Sequence, residues 1–220
     1  MSRRLLLAAL AAAFFSALSA PALGEEPAAP KPLSEVLQGD ARQAYDAARV
    51  LHEIGDYHGA LLKFRYAYEL SGDPRLLWNS ASCAKSLRKY VKAIELVRDF
   101  LASSSPVVTP DAAERARAFI QAALPLTSRL EVESNVAMPK VYVDGEFVGH
   151  APLLPDVRID LGLHRIAVKK PGYATFEETL TVAASRIQVT AILQPIRVQP
   201  RRAPARKLRR ASGPGDVADR

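Results

Sequence analysis

Four histidines, one cysteine and the adjacent glutamates Glu177 and Glu178 are the groups through which this 220-residue chain could do metal, nucleophilic or acid–base chemistry. Their spacing supports none of the three. His52, His58, His150 and His164 show no pair four residues apart around a glutamate, the spacing that puts two imidazoles on one helical face to share a metal. His52 and His58 stand on either side of an expected turn, which makes a shared ligand set a poor fit. Cys83 lies between Ser82 and Ala84 in a helical pattern, where a small buried side chain explains it better than a reactive thiol. Glu177 and Glu178 fall on an alternating strand, so their carboxylates point to opposite faces and cannot work as an acid/base pair. No glycine-rich phosphate loop is present, and the sequence reads as a non-catalytic chain needing neither cofactor nor metal.

The most informative stretch, Val141 to Tyr173, specifies backbone shape instead. Val141 and Val143 alternate with Tyr142, Asp144-Gly145 supplies the positive φ angles of a two-residue hairpin, and Phe147-Val148 begins the return strand. Gly162 precedes an alternating run in which Ile166 and Val168 face one way and Arg165, Ala167 and Lys169 the other, and Pro171-Gly172 turns the chain again. Earlier, from Ser128, Leu130 and Val132 face in while Arg129, Glu131 and Glu133 face out; later strands run through Phe176–Val182 and Ile187–Leu193.

Val143, Asp144, Gly145, Gly149, Pro152, Gly162, His164, Gly172 and Tyr173 together resemble the PEGA domain, a small β-sandwich of bacterial envelope and surface proteins. Ala151 and Leu161 depart from its usual Thr and Pro, but neither departure removes a glycine that a turn needs. The resemblance implies a sandwich over residues 128–195, His164 as a support for its turn, and an accessory module without a shared catalytic site.

Helical periodicity occupies the chain from Ser34. Ala44, Ala48 and Leu51 share one face, Ile54 to Tyr57 makes a short turn, and a second helix carries Ala60, Leu61, Phe64, Ala67 and Tyr68 up to Ser71-Gly72-Asp73-Pro74. Leu77, Ala81, Ala84 and Leu87 repeat Ala44, Ala48, Leu51 and Ile54 at an offset of 33 residues; Tyr90, Ala93, Val97 and Phe100 repeat Tyr57, Ala60, Phe64 and Ala67. That period resembles the tetratricopeptide repeat, with Arg88 standing where the second turn glycine would be. A third helical segment, opened by Thr109-Pro110-Asp111, carries Ala113, Ala116, Ala118, Phe119 and Ala122 to cap the stack. The resemblance implies a concave groove lined by Arg42, Tyr45, Arg49, Arg75, Trp78, Asn79 and Ser82. There Trp78 and Tyr45 offer apolar contact area, and Arg49, Arg75 and Asn79 offer hydrogen bonds to a peptide. Trp78 could equally pack against the following helix or the β-module.

The ends set the context. Arg3-Arg4, the apolar run Leu5–Leu18 and small residues near Ala20 have the order of a secretory signal peptide, with an uncleaved anchor as the alternative. Arg197–Arg220 holds 8 Lys or Arg against 2 Asp or Glu, leaving 20 against 21 between Glu25 and Ile196. The net charge of +7 therefore comes largely from a basic, Pro- and Gly-bearing tail that cannot bury enough apolar surface to order itself. Such an arm could bind nucleic acid by neutralising phosphates, but on an exported chain anionic lipid, an acidic wall polymer or an acidic protein is the better fit.

The expected organisation is an α+β, two-domain chain: signal peptide 1–24, linker 25–33, tetratricopeptide-like helices 34–124, PEGA-like sandwich 128–195 and basic tail 196–220. The function expected of it is an exported adaptor of the periplasm or cell envelope whose helical groove binds a protein or peptide. The other expectation is a binder of cell-wall or surface polysaccharide through the β-module and tail.

Overall fold

Six α-helices and then seven strands make up the computed structural model, which describes residues 30–196. The expected signal peptide, most of the expected linker and the basic tail beyond Ile196 lie outside the described residues.

The helices are α1 (Leu33–Val36), α2 (Gly39–Glu53), α3 (Tyr57–Ser71), α4 (Arg75–Ser86), α5 (Tyr90–Ala102) and α6 (Pro110–Ala123). Helices α2/α3 and α4/α5 form two hairpins, and α3 and α5 begin at Tyr57 and Tyr90, which keeps the 33-residue offset read from the sequence. The offset also governs the turns. Gly55 has φ +83° and Arg88 has φ +58°, so both turns pass through the left-handed region. Arg88 does what the expected glycine would do, at the steric cost of a Cβ in that conformation. Ala48, Ala60, Ala67, Ala84 and Ala93 are buried where helices face one another, and Leu76, Val97 and Phe100 fill the space between them. Each such Leu, Val or Phe contributes about 1.5–3 kcal/mol by leaving water.

Caps fix the helix ends. The Asp56 carboxylate accepts from the Gly59 N–H (2.9 Å) at the start of α3, and Gly72, at φ +69°, ends it. Thr109 Oγ1 accepts from the Ala112 N–H (3.3 Å) and opens α6 with Pro110 in its first turn.

Two expectations shift. The helical part starts one residue earlier than read, at Leu33, and breaks after Val36 before α2. Leu33 and Leu37 are both buried in the helical core, so residue 33 belongs to that core and not to a linker. On α6 the inward stripe is Ala112, Ala116, Phe119, Ile120 and Ala123; Ala118 and Ala122 are exposed. Every one of the alanines in that helix fits a small-residue pattern, so composition could not tell the two stripes apart.

A 3-10 turn at Leu124–Leu126 leads directly into β1 (Thr127–Ser134). The following strands are β2 (Lys140–Val143), β3 (Glu146–His150), β4 (Arg158–Asp160), β5 (Gly162–Lys169), β6 (Phe176–Val182) and β7 (Arg186–Ala191). They form two sheets, ordered β4-β1-β7 and β3-β2-β5-β6, with β1 and β7 parallel and every other pair antiparallel. Leu130, Val132, Ile159 and Val189 of the first sheet share one core with Val141, Val143, Ile166 and Val168 of the second. This alternation of inward and outward residues is what a two-layer sandwich requires.

The helical and β parts meet at a defined joint. Asp160, at the end of β4, accepts a hydrogen bond from the Val91 N–H in the first turn of α5 (2.8 Å). Thr127 Oγ1 donates to the Leu124 carbonyl (2.8 Å) and accepts from Arg158 Nη1 (2.8 Å), which ties the entry strand to both.

Candidate functional site

A cavity of about 470 Å³ opens on the inner side of the helical hairpins, within the range that receives small ligands or one or two peptide side chains. Helix α2 contributes Tyr45, α4 contributes Arg75, Trp78 and Asn79, α5 contributes Phe100 and α6 contributes Ala112 and Arg115, while Pro30 and Leu33 form one lip. Four of the seven residues expected to line the groove are thus brought together: Tyr45, Arg75, Trp78 and Asn79. The other three are elsewhere. Arg42 pairs with Asp46 (2.7 Å) and Arg49 approaches Glu53 (3.6 Å) along the surface of α2, and Ser82 is exposed one turn beyond Asn79.

The cavity's wall is aromatic and fixed. The Trp78 ring sits 5.9 Å from both Phe100, to which it is tilted, and Phe119, which it meets edge to face, so the indole packs against α5 and α6 while one part of it faces the opening. Tyr45 stands against Phe64 at 6.0 Å. Trp78 thus packs against the following helix α5 and against α6, and also lines the cavity.

Arg75 is held rather than free. Its guanidinium takes Asp73 in a fork (2.6 Å from Nη2, 3.0 and 3.2 Å from Nε), and Nη1 donates to the Lys31 carbonyl of the segment crossing the cavity's lip. The hydrogen bond to Asp73 raises its pKa above the ordinary arginine value, against the opposing effect of burial. Its charge is locally neutralised. Among the described residues, neither the Asn79 amide nor the Arg115 guanidinium has a hydrogen-bond or ion-pair partner, so these two carry the unspent polar capacity of the site. Arg115 was missed in the sequence. It lies three residues after Ala112 and four before Phe119, so a helical wheel drawn on the correct α6 stripe would have placed it at the cavity's rim.

The β part has a second ordered constellation. Asp144 (φ +50°) and Gly145 (φ +90°) form the hairpin turn expected of them. Asp144 Oδ1 accepts from the Arg165 N–H (2.8 Å), Asp144 Oδ2 meets His164 Nδ1 (2.7 Å), and the other ring nitrogen meets the Asp160 carbonyl (2.9 Å). His164 thus links the β2–β3 turn to the β4–β5 connection, with Gly162 at φ +132°. Burial alone would raise the Asp144 pKa, but the Arg165 N–H and the His164 ring outweigh it and hold the carboxylate below its ordinary range. This accounts for the Asp-Gly and Gly-x-His pattern as a turn lock.

Residues 127–197 match the PEGA domain. The match takes in all seven strands of the sandwich and none of the six helices. PEGA domains are typically extracellular or periplasmic, and the β part of the chain is similar to one. No curated protein matches the chain.

Among the described residues, no group of three or more His, Cys, Asp or Glu is placed to hold a metal ion, and no helix is long and apolar enough to cross a membrane. Cys83 is buried on α4, and loss of solvent pushes its thiol up to about 11.

Proposed function

We propose that the chain is a non-catalytic adaptor of the bacterial periplasm or cell envelope, exported through its N-terminal apolar segment, whose helical part receives a carboxylate-bearing segment of a protein partner. The single observation that carries this reading is the 470 Å³ cavity in which an aromatic wall, Trp78 and Tyr45, stands beside the uncommitted donors Asn79 and Arg115. An aromatic wall supplies contact area at low entropic cost, and a guanidinium with no partner among the described residues favours an incoming carboxylate. The two hairpins and their 33-residue offset support a tetratricopeptide-like stack, closed at one end by α6. The PEGA module then supplies a second surface on the same chain.

Trp78 is the only tryptophan, so the cavity contains its own reporter. Titrating the full chain with peptides that end in a free carboxylate should change the indole emission saturably, and the same peptides with amidated ends should not. Arg115→Ala should abolish that difference. Equal responses to both peptide forms would remove the carboxylate from the proposal.

A further inference from the structure

The outer face of the four-stranded sheet carries a cluster that the turn lock and the helical cavity leave unused. Tyr142 on β2 pairs in register with Phe147 on β3, and their rings meet edge to face at 5.7 Å. Phe147 also meets the His150 ring at 5.3 Å and remains 52 % exposed, an unusual state for a phenylalanine on a strand. The Lys169 ammonium lies 4.9 Å from the Tyr142 ring centroid. Two residues along β2, and so on the same face, His150, Lys140 and Lys169 stand in register across β3, β2 and β5.

That row costs stability. Like charges directly opposite each other in an antiparallel pair repel, and among the described residues no carboxylate forms an ion pair with Lys140 or Lys169. The acid on the same face stands apart from the row: Glu177 is two strands from Tyr142, beyond Ala167, while Glu146, in register with the buried Val143, belongs to the other face. A local excess of positive charge beside the exposed Phe147 ring matches a ligand that has both a flat apolar face and an anion. Ala167, between Tyr142 and Glu177 in the register, adds only a methyl group there.

We infer that Phe147, Tyr142, Lys140, Lys169 and His150 form a binding site for an acidic polysaccharide, in which a sugar ring lies against the exposed Phe147, braced by Tyr142, and its carboxylate meets the lysines. A uronate fits because its charge is attached to the ring itself, as the Lys169 ammonium is set close over the Tyr142 ring. In a nucleic acid the phosphate belongs to the backbone and not to the stacking base. The placement of PEGA modules at extracellular or periplasmic surfaces also favours a glycan. The inference deepens the polysaccharide expectation and rests on that placement, but it uses no residue of the helical cavity, so each site fails or stands alone.

The test is calorimetric titration of the full chain with hexagalacturonate, with maltohexaose as the uncharged ring control and a hexamer of deoxythymidylate as the stacking polyanion control. Hexagalacturonate should bind more tightly than either control. Phe147→Ala should weaken it about tenfold, Phe147→Trp should restore it, and Lys140→Gln with Lys169→Gln should weaken it further while the melting temperature of each variant stays near that of the parent. The basic tail is present in every sample, so binding through the tail would leave all variants equal. Unchanged affinity in Phe147→Ala, tighter binding of the deoxythymidylate hexamer, or no binding of hexagalacturonate would each overturn the inference.

Discussion

Replacing Asp160 with alanine removes one contact and tests whether the helical and β parts fold as one unit. Helix α5 has Lys89 at its N-cap and receives no side-chain capping bond from it. The Asp160 carboxylate, delivered from the end of β4, accepts from the Val91 N–H at 2.8 Å and stands in for that cap. Losing a cap oxygen costs about 0.5–2 kcal/mol, and loss of a negative charge at a helix N-terminus overlaps with it and is not added. Val91 is half-buried, so water can partly replace the carboxylate, which sets the expected loss near the middle at about 1 kcal/mol. For a folded unit of this size that is a fall of about 2–4 °C in Tm. The more telling measurement is hydrogen exchange. The amides of Tyr90 and Val91 should exchange faster in Asp160→Ala, and calorimetry should show the single transition broadening or dividing as the joint weakens. A variant that melts as the parent does, with unchanged exchange at Val91, would refute the role given to Asp160.

Three further outcomes follow from the geometry. Asn135→Ala removes a two-way clamp, in which its amide donates to the Leu193 carbonyl (3.1 Å) and accepts from the Leu193 N–H (2.8 Å); chemical denaturation should show a loss of about 1–2 kcal/mol. Cys83, with its thiol pushed up to about 11 by burial, should resist a thiol-reactive disulfide reagent at pH 8 in the folded chain and react fully once unfolded. The pH dependence separates two aspartates. Asp144 has a depressed folded-state pKa, so it contributes stability that is present above its unfolded value near about 3.9 and lost as pH falls through the folded value. Asp160 has a raised one because burial outweighs the Val91 and Tyr90 donors, so ionising it in the folded chain lowers stability as pH rises from the unfolded to the folded value, a cost that the cap bond partly offsets. Acid titration of stability should therefore steepen downward in the parent and flatten in Asp144→Ala.

The helical repeat and the sandwich were legible because both rest on spacing. The 33-residue offset is carried by small residues at helix contacts, and the Asp144-Gly145 and Gly162 positions announce backbone angles that few residues adopt. What could not be read depends on partners distant in sequence or on register. Arg75 was legible as a cation, but its capture by Asp73 and by the Lys31 carbonyl is a product of the turn before α4 and of the segment laid across the cavity. Trp78 was legible as an aromatic anchor, whereas Phe119, which fixes it, arrives on α6. Phe147 was read as the first residue of a return strand. Its meeting with Tyr142 requires the irregularity in the β2–β3 pairing between Val141 and Tyr142, beside Gly149 at φ +147°, and alternation alone does not predict that shift.

The adaptor reading is tested most directly by photo-crosslinking in the cells that make the protein, with a benzophenone side chain in place of Ser82, which is exposed one turn from Asn79 on the same face of α4. The account predicts a discrete protein adduct from position 82 that is lost when Asn79→Ala and Arg115→Ala are added, and no such adduct from the exposed Leu62 on α3. An adduct pattern that is the same from both positions, or that persists at full yield when Asn79 and Arg115 are removed, would contradict it.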